Sequence, residues 1–119
     1  MANPEHVEII EKGVLIWNSW RDTNPEINPD LTDTDLIGHD LNRANLSKTN
    51  LVGARLSNAD LGGANLRNSN LSRASLYGAY LRGAKFANAI LVAADLREAE
   101  FRESDIFLAD IRDAIFENI

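Results

Sequence analysis

Cysteine is absent from the 119 residues. That excludes disulfides, thiol catalysis and cysteine-ligated metal sites, and it suits a reducing compartment. Histidine is nearly as scarce, with His6 and His39 the only two. No apolar run is long enough to cross a bilayer, and the first eight residues lack the basic region and apolar core of a signal peptide. The expectation is therefore a cytoplasmic chain without a membrane span. Basic residues are outnumbered, 12 against 18 acids, for a net charge of −6. At this length, and with nothing resembling a linker, the chain reads as one domain.

What is present is a period of five. From Leu31 to Phe116 every fifth residue is apolar, a column of 13 Leu, 3 Phe and 2 Ile. Five fits neither a straight helix, where such a step rotates a residue by about 140°, nor a straight strand, where odd steps alternate faces. The chain itself must turn at each repeat. Two residues before each apolar position stands a small one, Ala at 12 of 18 places from Ala44 to Ala114, with Pro29, Thr34, His39, Thr49, Ser69 and Ser104 as the exceptions. A small column beside a large one describes a narrow, filled interior, because close packing penalises voids and overfilling alike. The other three positions of each repeat face water.

Two residues after the apolar column, Gly38, Gly53, Gly63, Gly78, Gly83, Asn58, Asn68, Asn88 and Asn118 supply residue types that accept a positive φ, as a type II turn requires. From Ala93 to Asp113 the same column reads Ala, Glu, Glu, Leu, Asp, so those corners are expected to use another turn type.

Units such as Ala54-Arg55-Leu56-Ser57-Asn58, Ala59-Asp60-Leu61-Gly62-Gly63 and Ala64-Asn65-Leu66-Arg67-Asn68 resemble the A-(D/N)-L-x-x unit of the pentapeptide-repeat family. The likeness covers residues 29–118. It implies an all-β solenoid, a right-handed quadrilateral parallel β-helix of about 4.5 coils of 20 residues each. Residues 29–119 are assigned to this β-helix. Residues 1–28 form its N-terminal capping helix and lead-in.

The cap is read from Asn3-Pro4-Glu5, an N-cap followed by a first-turn proline and acid. Val7, Ile10, Val14, Trp17 and Trp20 then recur at helical spacing until Asn24-Pro25 ends the pattern. This predicts one short amphipathic α-helix covering the first coil. A membrane-surface helix is the alternative, but the segment is acidic, whereas such helices are basic.

Charge is unevenly placed. Residues 1–40 carry 9 acids and 2 bases, residues 41–94 carry 1 and 7, and residues 95–119 carry 8 and 3. The ends are acidic; the waist, with Arg43, Lys48, Arg55, Arg67, Arg73, Arg82 and Lys85, is basic. Some pentapeptide-repeat proteins are proposed to inhibit type II topoisomerases by imitating DNA, and the resemblance offers that function as an alternative. Imitation needs a continuous acidic surface, since duplex DNA carries about one charge per 1.7 Å. The waist has the wrong sign. Nucleic-acid binding by the waist itself also reads poorly, with its bases dispersed and only Tyr77 and Tyr80 outward for stacking.

Catalysis needs a perturbed acid, base or nucleophile in a pocket, which a filled solenoid does not provide. No enzymatic activity, cofactor or metal is expected. His39 stands where a small inward residue is usual, so a small-ligand site near the N-terminal cap is a further alternative; the plainer reading is a space-filling imidazole bonded to backbone. The Asp and Asn residues before each Leu do not converge as calcium requires, and should accept backbone hydrogen bonds at the turns. Stacking one coil apart pairs Asp35 with Arg55, Tyr77 with Arg97, and Arg97 with Glu117.

After Phe116 too little sequence remains for a second cap. The outward positions there turn apolar, and an uncovered β-edge beside exposed apolar groups favours self-association. The reading is a rigid interaction or scaffold module with an unknown protein partner and a two-fold homodimer through Phe107, Leu108, Ile115 and Ile119.

Overall fold

The computed structural model describes residues 1–117. In the repeat region each five-residue unit gives one short side and one corner. The carbonyl of the apolar residue accepts from the N–H three residues on, Thr34 to Leu31 at 3.2 Å and Ala44 to Leu41 at 3.0 Å. This closes a β-turn. At every corner from Asp33 to Asp113 except Leu108, the third turn residue has φ between +57° and +72°. A positive φ at this position is what a type II turn requires.

Ala93, Glu98, Glu103 and Asp113, expected to use a different turn, have φ of 60° to 63° and follow the common pattern. So do Arg43, Lys48 and Arg73. The left-handed conformation costs a residue with a Cβ about 1–2 kcal/mol, but stacking fixes each corner from outside. Corners are bonded coil to coil, as in Ala93 N–H to Arg112 O at 3.0 Å. Leu108 alone departs, in a 3₁₀ turn over Ile106–Leu108. There the Asp105 carboxylate takes the Phe86 N–H in place of a backbone carbonyl.

Coils stack in parallel with an offset of 20. Asp30 pairs with Asn50, Asn50 with Asn70, Asn70 with Ile90 and Ile90 with Asp110, while the other three sides start at Asp35, Asp40 and Asn45. The architecture is a right-handed quadrilateral parallel β-helix. Two bonds recur at each step: Leu46 N–H to Asn65 O at 2.8 Å, and Asn65 N–H to Ala44 O at 2.9 Å. The column from Leu31 to Leu96 is fully buried, with Ala residues filling the gaps. Phe101, Ile111 and Phe116 in the last coil are only partly covered.

The N-terminal segment is two helices rather than one, α1 over Pro4–Glu11 and α2 over Val14–Thr23. Asn3 caps α1, its side chain accepting from the Glu5 N–H at 2.9 Å. Gly13 breaks the run with φ of +104°, a conformation a helix interior does not allow. Ile10 and Trp17 are buried, Val7, Val14 and Trp20 partly so, and Leu15 and Ile16 point outward.

Candidate functional site

The ends of a solenoid are where backbone groups lose their partners, and the helices answer this at one end with side chains. Asn45, in the first coil, has no coil above it. Its carbonyl instead accepts from Trp17 Nε1 at 2.7 Å and from the Arg21 guanidinium at 2.8 Å. The Asn18 amide stands in for a peptide group, accepting the Asn45 N–H at 2.7 Å and donating to the Arg43 carbonyl at 3.1 Å. On the next side His6 Nδ1 accepts the Asp30 N–H at 3.0 Å, which places the ring proton on Nε2, and the Asn3 N–H reaches the Asp30 carbonyl at 3.1 Å. Trp17, Trp20 and His6 pack ring against ring, with centroids 5.1 to 5.2 Å apart.

His6 and Arg21 are therefore parts of the cap that the hydrophobic pattern missed. Both are buried, and Arg21 lies there without a carboxylate, so that burial lowers its pKa. A polar residue at helical spacing reads as solvated until the partner it meets is known. That partner lies 24 residues away in both cases, the Asp30 N–H that donates to His6 and the Asn45 carbonyl that accepts from Arg21.

Two sides of the first coil have no such cover. In deeper coils the N–H groups of Arg55 and Asp60 bond Thr34 and His39 carbonyls; at the corresponding Asp35 and Asp40 no helix group takes that place. Between this edge and α1 lies an open cleft of about 640 Å³, flanked by Val7, Glu8, Glu11 and residues 32–35. His39 does not line it. Its imidazole is partly buried at the coil margin, with Nδ1 3.3 Å from the Ile37 carbonyl. A first coil missing its upper neighbour on this side leaves the ring beside solvent.

All seven bases of the waist are exposed. At one corner Gly62 and Gly63 leave a shallow notch of about 490 Å³ flanked by Arg43, Arg82 and Lys85. Arg82 is already paired there with Glu103. Asp35 and Arg55 stack one coil apart at 3.3 Å, and the Arg97 guanidinium lies 5.5 Å from the Tyr77 ring centre. Arg97 takes its nearest acid from its own turn rather than from Glu117: Asp95 binds it through two oxygens at 2.8 and 2.9 Å. Glu117 adds only a weaker attraction. The same acid-x-Arg clasp joins Glu100 to Arg102 and Asp110 to Arg112. The columns before Leu accept turn N–H groups, as in Ile37 to Asp35 at 3.1 Å.

At the far end Phe101, Phe107 and Phe116 gather with ring centres 5.9 to 6.3 Å apart. Phe107 and Leu108 are about two-thirds exposed and Ile115 is 44% exposed. Ile119 lies outside the described residues. No described element covers this end.

The family model for pentapeptide repeats matches in 8 copies, over residues 30–63, 49–86 and 79–118. The chain belongs to the pentapeptide repeat family. Among solved structures it is similar to a pentapeptide repeat protein of the Arabidopsis thaliana thylakoid lumen, with 30% identity over 74% of this chain and 68% of that one, at a TM-score of 0.48. A pentapeptide repeat protein from Nostoc PCC 7120 shares 28% identity over 83% of this chain and 74% of that one, at a TM-score of 0.44. Rfr23 from the cyanobacterium Cyanothece 51142 shares 28% over 75% and 65%, at 0.40. Among curated proteins none matches.

Pentapeptide repeat proteins are generally structural or interaction modules rather than enzymes. In this one, no three His, Asp or Glu side chains among the described residues are grouped to hold a metal ion. No described helix is long and apolar enough to cross a membrane. What the repeat offers chemically is a rigid surface with three distinct regions: an acidic cleft by the cap, a basic waist and an apolar end.

Proposed function

We propose that this pentapeptide repeat protein is a non-catalytic interaction module, working in the cytoplasm, that pairs with a second copy of itself through its C-terminal end. The observation that carries the reading is the contrast between the ends. Helices satisfy two sides of the first coil, whereas Phe107, Leu108 and Ile115 stand exposed beside an open last coil. Exposed apolar groups next to unpaired strand edges favour association. A two-fold axis brings the acids Asp105, Asp110 and Asp113 close to their copies. The clasp of Asp110 by Arg112 offsets part of that repulsion.

Sedimentation velocity tests this. The unmodified chain should run as a dimer, and Phe107→Glu with Leu108→Glu should give a monomer with the same circular dichroism. A monomer at every concentration of the unmodified chain refutes the pairing. Imitation of DNA finds less support, because seven exposed bases interrupt the acidic surface.

A further inference from the structure

The first coil contains the same polar corner twice. Residues 45–49 read Asn-Leu-Ser-Lys-Thr and residues 30–34 read Asp-Leu-Thr-Asp-Thr. In both, the hydroxyl of the third residue donates to the first side chain, Ser47 to Asn45 Oδ1 at 2.7 Å and Thr32 to Asp30 Oδ1 at 2.5 Å. In both, the fifth residue is an inward threonine. At the later corner these groups hold a guanidinium: Arg21 donates to the Asn45 carbonyl at 2.8 Å and to Thr49 Oγ1 and Ser47 Oγ at 3.4 Å each.

At the earlier corner the Asp30 carbonyl accepts the Asn3 N–H at 3.1 Å, and no guanidinium is held among the described residues. Thr34 is 8% exposed, and its hydroxyl has no hydrogen-bond partner, whereas Thr49 Oγ1 both receives Arg21 and donates to the Ser47 carbonyl. Thr32 and Thr34 line the cleft beneath α1, together with Glu8, Glu11, Asp33 and Asp35. Unlike the Arg21 corner, this one has four carboxylates around it, of which Asp35 is shared with Arg55, and Met1 also lines it. The volume, about 640 Å³, lies in the range of ligand pockets.

We propose that this cleft receives an arginine side chain from an extended segment of a partner protein. The planar guanidinium donates in several directions at once, which matches a site of hydroxyl and carboxylate acceptors better than an ammonium does. The extended backbone follows from the neighbouring edge. Asp35 and Asp40 present N–H and carbonyl groups that their counterparts in deeper coils spend on the coil above, and strand addition would satisfy them. The proposal deepens the interaction-module reading and rests on it, but it concerns the opposite end from the self-association.

The test is a titration of the ¹⁵N-labelled full chain with the peptide Ac-Ala-Arg-Val-NH₂ and with analogues carrying lysine or citrulline in place of arginine. The arginine peptide should move the amide signals of residues 32–35 and of Val7 and Glu8. The citrulline peptide, alike in shape but uncharged, should leave them in place, and the lysine peptide should bind several-fold more weakly. Thr34→Val keeps the shape and removes the hydroxyl. It should weaken the arginine peptide about tenfold while the melting temperature holds or rises, since an unpartnered buried hydroxyl has gone. Equal binding of the citrulline peptide, equal binding by Thr34→Val, or no shift at millimolar arginine peptide overturns the proposal. Sedimentation of the same samples reads the C-terminal pairing separately, so the two can fail independently.

Discussion

Trp17 Nε1 lies 2.7 Å from the carbonyl oxygen of Asn45, in the place where a coil above would put a backbone N–H. In deeper coils the same column accepts from Leu46 and Leu66, both at 2.8 Å. The indole thus fills the core and completes the ladder together. Trp17→Phe should cost about 1–2 kcal/mol, since much of the packing survives and Arg21 still serves the carbonyl, whereas Trp17→Ala should cost about 3–5 kcal/mol. Urea unfolding separates the two, and equal losses would show that the hydrogen bond and not the ring carries the effect.

Removing residues 1–24 uncovers the first coil and frees the backbone groups of Asp30 and Asn45. Oligomers or aggregates should follow. Size-exclusion chromatography of the truncated chain reads this directly, and a well-behaved product of unchanged oligomeric state would contradict the capping role.

In the interior, Leu56 and Ala64 are both wholly buried. Leu56→Asp places a charge where nothing can pair with it, and Ala64→Phe overfills a site shaped for a methyl group. Each should unfold the chain or lower its stability by more than about 3 kcal/mol. Native circular dichroism with an unchanged melt in both variants would defeat this account of the core.

The corners give a change in the opposite direction. Ala93 has φ of +61° and Gly38 has φ of +68°. Ala93→Gly should therefore raise stability by up to about 1 kcal/mol, and Gly38→Ala, which meets no atom within 4 Å, should lower it by about the same amount through the backbone alone. Thermal melts of the pair would expose an error if both moved in the same direction.

Acid should weaken the later coils. Hydrogen bonds from Arg97, Arg102 and Arg112 hold the carboxyls of Asp95, Glu100 and Asp110 below their ordinary range. A depressed folded value means that the stabilisation is present at neutral pH and is lost as pH falls from about 4 through those lowered values. The groups are largely solvated, so each loss is small. Melting temperature recorded from pH 7 down to about 2.5 should decline in the lowest part of that window; a flat profile would sink the argument.

The repeat was legible because its two columns, from Leu31 and from Ala44, state the packing outright. The helical break was not, since a lone glycine such as Gly13 is tolerated in many helices and its φ depends on where α2 must lie. Glu98 and Glu103 gave no sign of left-handed corners because the coils around them, not their own preferences, impose that conformation. The Thr34 corner was partly visible as an irregular small residue. Its meaning needed the matching corner at Thr49 with Arg21 already in place.

The helices over the first coil also set how many neighbours the rod can accept. A solenoid open at both ends has two complementary faces, each carrying both N–H and carbonyl groups, so copies can add head to tail into a fibre without limit. With α2 seated on Asn45 and α1 on Asp30, the leading face is blocked on two sides. The cap therefore obstructs head-to-tail stacking at that end, and the pairing proposed for the apolar end would close on itself rather than propagate.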